Sequence, residues 1–178
     1  MAVEKAIQIL HEYQNNCCSY NIDSAGPITS NTRHNKSWSP PPRNFLKLNV
    51  DVHLKVDGHW RLGLVLRRDD GRCVGAVTKV ISSSSDATLA EAHGLQEALR
   101  WAKMFHLTRV VIEMDAAVIV QAIKKRVFPR TQWGRIVKLC ARDFDHDNQL
   151  SINRICKQGN KAAHAFARWV FSEPDRYL

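Results

Sequence analysis

Three acidic residues stand at positions where acids need a reason. Asp51 lies near the middle of the segment FLKLNVDVHLK (45–55), in which Leu46, Leu48, Val50, Val52 and Leu54 face one way and Lys47, Asn49, Asp51 and His53 face the other. Such alternation reads as a β-strand with one apolar face, an environment that disfavours Asp. Glu91 falls four residues before Leu95, in register with a helical stripe of Leu95, Ala98, Leu99 and Ala102, so a carboxylate shares the face that must meet the rest of the fold. Asp115 closes the apolar run VVIEM and opens the next periodic segment, at the carboxyl edge of a strand where ligand sites gather. Each also has a plain structural use: a solvated strand residue for Asp51, a first-turn glutamate favoured by the helix dipole for Glu91, an N-cap for Asp115. Together they are what a site for hard divalent cations requires. Magnesium takes oxygen ligands and keeps several waters, so two ions can be bridged by a few carboxylates and a substrate phosphate, one activating water and the other stabilising the leaving oxygen. A fourth polar residue, His164, sits in the alanine-rich run GNKAAHAFA (159–167), where a hydrogen-bonded imidazole packed in the core is the simplest account.

The elements that must carry these residues follow from periodicity and turn chemistry. After the strand at 45–55, an Asp-Gly turn at 56–59 leads to a second strand (60–68), DDG (69–71) to a third (72–81), and the three form an antiparallel meander. A helix is predicted over 87–105, a buried strand over 109–115, helices over 116–126 and 132–144, a fifth strand over 150–155 and a last helix over 160–171. The order β-β-β-α-β-α-α-β-α describes an α/β fold: a mixed five-stranded sheet, three antiparallel strands then two parallel, with helices on both faces.

The chain of 178 residues has 44% hydrophobic residues, enough for one core. Residues 1–14 read as a short amphipathic segment, 15–43 as a Ser/Asn/Pro-rich linker ending in WSPPPR, and 44–178 as the folded domain. Five cysteines, Cys17, Cys18, Cys73, Cys140 and Cys156, are odd in number and form no C-x-x-C pair. That argues against a disulfide framework and a zinc ribbon. With no signal-peptide pattern and no membrane-length apolar run, the expectation is an intracellular protein, cytoplasmic or nuclear, not secreted, and monomeric.

The formal net charge is +9 and the isoelectric point about 9.6. Excess positive charge favours polyanionic partners, most often nucleic acid, although a basic surface also serves solubility. The segment KKRVFPRTQWGRIVKLCAR concentrates Lys124, Lys125, Arg126, Arg130, Arg135, Lys138 and Arg142 around Trp133, a composition suited to phosphate contact beside an aromatic surface, or to a solvated helix face with Trp133 turned inward. No feature reads base sequence, so shape and phosphates are the expected means of recognition.

Five segments then combine in one order: WSPPPRNFLKLNVD with Asp51, GLVLRRDDG, AEAHGLQEAL with Glu91, VVIEMDAAVIVQAI with Asp115, and GNKAAHAFA with His164. In this pattern the sequence resembles the ribonuclease H family, more closely its plant-type, retroelement-related domains, over roughly residues 38–172. The resemblance implies an endonuclease that cleaves the RNA strand of RNA/DNA hybrids with two magnesium ions, or manganese. Asp51, Glu91 and Asp115 would be catalytic metal ligands, and His164 would stand in the place of the family's fourth acid. Asn160 and Lys161, at the start of the last helix, join Lys124, Lys125, Arg126, Arg135 and Lys138 as expected nucleic-acid contacts. Val52 occupies the place where the family has glycine, and the loop RICKQG carries Arg154 and Lys157 but no histidine. The competing expectation is a domain that kept the fold and the basic surface and binds nucleic acid without cleaving it.

Overall fold

A computed structural model describes residues 37–55, 59–81, 85–169 and 176–177. The expected amphipathic segment at 1–14 and most of the expected linker lie outside them. Every element read from periodicity is present: β1 (Leu46–Leu54), β2 (Trp60–Arg67), β3 (Cys73–Ile81), α1 (Ala87–Met104), β4 (Val110–Met114), α2 (Ala117–Lys125), α3 (Gln132–His146), β5 (Leu150–Arg154) and α4 (Lys161–Trp169). A further strand of two residues, β6 (Arg176–Tyr177), pairs antiparallel with β3. The sheet order is β5-β4-β1-β2-β3-β6, with β1, β2 and β3 antiparallel and β4 and β5 parallel to β1.

Helix ends are set by local chemistry. Asp86 caps α1 by accepting from the Thr88 and Leu89 amides, and Thr131 caps α3 by accepting from Gly134 N. Arg126 ends α2 in a left-handed conformation, φ 56°, and its guanidinium donates to Ala141 O and pairs with Asp145, tying α2 to α3.

Both faces of the sheet are covered. On one, Leu48, Val50, Leu62 and Leu64 pack with α1, α2 and α3 in the main core; on the other, Val65 and Ala76 pack with Ala162, Ala163 and Phe166 of α4. Two glycines set how closely the helices sit. A Cβ on Gly94 of α1 would lie 2.6 Å from Val52 Cγ2, and one on Gly63 of β2 would collide with the Ala163 carbonyl of α4. Without side chains at these two points, each helix lies directly against the strands. Val52 is accordingly a core residue facing α1.

The row Lys47, Asn49, Asp51, expected on the face away from the leucines, is not solvated: all three are 4% exposed or less. Over its first half lies Trp38, whose Nε1 donates to Asn49 Oδ1 (3.0 Å) and whose ring lies under the Arg67 guanidinium, 4.7 Å from the centroid. Arg67 Nη1 donates to the same Asn49 oxygen (3.1 Å), Asn49 Nδ2 donates to Glu113 Oε2 (3.1 Å), and Lys47 Nζ pairs with Glu113 Oε1 at 2.8 Å and donates to Ser39 O at 2.6 Å. Pro41 is buried as well. The packed domain therefore reaches back to Trp38, six residues before the expected start at Asn44, because the second face of β1 needs a cover there.

Candidate active site

The parallel register pairs Val50 with Met114, so Asp51 and Asp115, each one residue further on, emerge together at the carboxyl edge of β1 and β4. Glu91 arrives from above on α1, one turn before Gly94, whose missing Cβ lets the helix approach β1. His164 arrives from the other face on α4, seated by Gly63, which is the β2 partner of Asp51. Asn160 holds the start of that helix by donating from Nδ2 to Val50 O at 2.8 Å. The four side chains of the sequence reading thus line one cavity of about 280 Å³, together with His53 and Lys157.

None of the plain structural uses applies. Asp51 is 4% exposed and its Oδ2 lies 3.0 Å from His164 Nδ1. Glu91 is in the second turn of α1, with the N-cap supplied by Asp86. The N-cap of α2 is Ala116, without a side-chain hydrogen bond, so the Asp115 carboxylate is not used as a cap. His164 is half-buried, with Nδ1 on Asp51 and its ring edge-on to His53 at 5.4 Å between centroids.

The electrostatics follow from crowding three acids with little compensation. Burial first, then the negative charge of Asp115, raises the Asp51 carboxyl to about 6 against the lowering influence of His164. Burial, reinforced by Asp115 and Asp51, pushes Glu91 up to about 9, and Glu91 Oε2 is buried without a hydrogen-bond partner. An orphaned carboxylate oxygen beside two further carboxylates fits a hard divalent cation in donor chemistry. In the geometry described, however, no three or more His, Cys, Asp or Glu side chains among the described residues are gathered closely enough to hold an ion.

The expected nucleic-acid contacts separate into three groups. Lys125, Arg135, Lys138 and Lys161 are exposed. Lys124 is exposed and donates to Asn153 Oδ1 at 2.8 Å, while Arg126 is engaged by α3. Asn160 is the exception: it is 1% exposed, with its amide on the Val50 carbonyl, so it positions α4 and does not face solvent. Trp133 is half-buried against the main core, turned inward. Two titratable residues of the cavity, His53 and Lys157, were absent from the sequence-derived site. His53 follows Asp51 by two on the same strand face, a signal that period-two alternation carried. Lys157 precedes the last helix by four residues, and only the path of that loop brings it to the carboxylates. Cys73, Cys140 and Cys156 are free thiols, and among the described residues no helix is long and apolar enough to cross a membrane.

Residues 49–170 match the family described as Reverse transcriptase-like. A protein of Arabidopsis thaliana that bears a ribonuclease H name is 28% identical over 136 residues, which are 76% of this chain and 22% of that protein. The chain thus spans about a fifth of the length of that relative. Similar solved structures include RNase H1 from the halophilic archaeon Halobacterium salinarum NRC-1, with a TM-score of 0.61 and 20% identity over 70% of this chain and 96% of that one. Another is LC11-RNase H1, solved in complex with an RNA/DNA hybrid, with a TM-score of 0.60 and 18% identity over 69% and 94%. At these identities the likeness is one of fold, and it agrees with the mixed sheet of β1 to β5 and the helices on its faces. By its match over most of its length, the chain belongs to the Reverse transcriptase-like family of ribonuclease H-like domains.

Proposed function

We propose that this domain is a divalent-metal-dependent endonuclease that cleaves the RNA strand of RNA/DNA hybrids. The observation that carries the reading is the convergence of Asp51, Glu91, Asp115 and His164 on one cavity, with a buried, unpartnered Glu91 oxygen among them. The RNA/DNA hybrid in the solved LC11-RNase H1 complex supports the choice of substrate. When bound, two magnesium ions, or manganese in their place, supply water activation on one side of the phosphodiester and charge stabilisation at the leaving oxygen on the other. Asp51, Glu91 and Asp115 are the residues to hold them, with His164 as the fourth side chain. His164 also fixes the Asp51 carboxylate through its Nδ1 contact, and its own ring is held edge-on by His53. Lys124, Lys125, Arg135, Lys138 and Lys161 supply positive charge for phosphates flanking the cleaved bond, independent of base sequence. The free thiols fit a reducing compartment, cytoplasmic or nuclear.

The test is cleavage of a labelled RNA/DNA hybrid in Mg²⁺ and in Mn²⁺. Wild type should cut the RNA strand, and Asp51→Asn should lose roughly 10³-fold or more in rate while remaining folded. A folded wild-type protein that cuts in neither metal would remove this reading.

One observation favours a second reading, a domain that binds nucleic acid without cleaving it. His164 Nδ1 already engages Asp51, and no three ligand-type side chains among the described residues stand ready for an ion. That reading expects salt-sensitive hybrid binding that Asp51→Asn leaves unchanged, with no turnover. Replacing His164 by Asp separates the two, because a gain of magnesium-dependent cleavage would identify an intact site handicapped by its imidazole.

A further inference from the structure

Among the residues lining the acidic cavity, one has a fixed positive charge. Lys157 is exposed, lies in the turn between β5 and α4, and is close enough to act electrostatically on Asp51, Glu91 and His53. Its ammonium has no hydrogen-bond or ion-pair partner among the described residues. The turn that carries it is firmly anchored. Asn160 N donates to the Cys156 and Lys157 carbonyls at 3.2 and 3.1 Å, Gly159 N donates to Cys156 O at 2.9 Å, and the buried Asn160 amide is bonded to Val50 O. Gly159 has no room for a side chain, since a Cβ there would lie 2.8 Å from Ile155 Cδ1. A four-carbon stem on a pinned backbone therefore brings an ammonium without a partner among the described residues to a cavity lined by carboxyl groups.

We propose that Lys157 is a substrate-contacting residue that binds a phosphate of the nucleic-acid backbone at the mouth of this cavity. The inference rests on the proposed hybrid-cleaving function, and it adds to it the group that draws a polyanion toward a site otherwise lined by acids. Ionised carboxylates lining the cavity repel a phosphodiester. An exposed ammonium beside them offsets that repulsion and donates a charge-assisted hydrogen bond to a non-bridging oxygen. Arg can make the same contact, whereas Gln keeps the stem length and loses the charge.

The experiment compares wild type, Lys157→Gln, Lys157→Arg and Asp51→Asn, with Arg72→Gln as a charge control. Arg72 is exposed in the hairpin between β2 and β3, at the far end of β2 from the cavity, so it removes the same net charge elsewhere. Hybrid binding is measured by fluorescence anisotropy in EDTA across a series of salt concentrations, and cleavage is measured in single turnover at saturating protein. Lys157→Gln should make the slope of log Kd against log salt shallower by about 0.9, one phosphate contact. It should also slow single-turnover cleavage roughly 10-fold to 100-fold. Lys157→Arg should restore both, and Arg72→Gln should alter neither. If wild type cuts, Asp51→Asn does not, and Lys157→Gln matches wild type in slope and rate, the Lys157 contact is overturned and the nuclease reading stands. A Lys157→Gln variant that changes only the magnesium concentration needed for cleavage also overturns it, since the ammonium would then merely compensate the carboxylates. If wild type binds but never cuts, a reduced slope in Lys157→Gln upholds the contact while the nuclease reading falls.

Discussion

Two stretches of one strand face, two residues apart, treat buried charge in opposite ways. Around Lys47 and Asn49, the single carboxylate of Glu113 meets the Lys47 ammonium and the Asn49 amide, Arg67 completes the network from β2, and Trp38 closes it from water. Around Asp51, three carboxyl groups share a cavity with two half-buried imidazoles, His53 and His164, and one exposed ammonium, and a Glu91 oxygen has no partner. In the first arrangement the carboxylate meets its opposite charge within the chain, in the Lys47 ammonium. The second carries negative charge that burial makes costly, and an external cation is the compensation its donor chemistry calls for. The contrast teaches how to separate structure from function among buried polar groups: what matters is whether the chain itself supplies the opposite charge.

Substitutions should therefore have opposite signs in the two regions. The largest effect is expected from Glu113→Ala, which leaves Lys47 buried without its carboxylate and should cost about 3–5 kcal/mol in chemical denaturation. A loss below 1 kcal/mol would mean that the network is not compensated in the way its contacts indicate. Next comes Gly63→Ala, which must push α4 off β2 and should destabilise by about 1–3 kcal/mol. Because α4 carries His164, the same variant should lower cleavage at temperatures where it is fully folded. Activity unchanged in folded Gly63→Ala would detach the helix seat from the site.

Glu91→Gln should act in the other direction. With its folded-state value raised from 4.5 to about 9, Glu91 binds more protons in the folded than in the unfolded chain between those limits. Its contribution therefore favours folding below pH 4.5 and is lost progressively as pH rises toward 9. In EDTA at pH 8, Glu91→Gln should accordingly raise stability, by an amount on the order of 1–2 kcal/mol, and the gain should vanish near pH 4. Thermal melts across that range check it, and a destabilised Glu91→Gln at pH 8 would show that the carboxylate is compensated after all. The smallest effect belongs to the exposed helix face. Lys138→Gln should change stability by less than about 0.5 kcal/mol, yet reduce the salt slope of hybrid binding by about 0.9 if it meets a phosphate.

Much of the fold was legible because its signals are short-ranged. The strict alternation of 45–55 and the helical stripe from Leu95 to Ala102 required only neighbouring residues, and every strand and helix was found within two residues of its expected limits among the described residues. Charge compensation was harder to read. Asp51 could pass as solvated because the element that meets its side chain, α4, lies far off in sequence, with His164 at 113 residues' separation. For the same reason Asn160 was expected to contact nucleic acid, although its amide bonds to Val50, and the domain was expected to start at Asn44 because the Pro-rich composition of the preceding stretch gave no sign that Trp38 packs on β1. Arg126 looked like any other member of a basic run until α3 supplied Ala141 O and Asp145 for its guanidinium.

The sequence by itself determined the order and kind of the elements, the three acids and the histidine in positions open to chemistry, and the excess of positive charge. These depend on local backbone preference and on counting residues. The tertiary structure alone decided that the four side chains meet, which depends on the parallel register of Val50 with Met114 and on the clearances at Gly63 and Gly94. It alone decided as well that one buried carboxylate is neutralised while another is left without a partner. Burial and opposite charge are properties of space, and the residues that provide them come from distant parts of the chain.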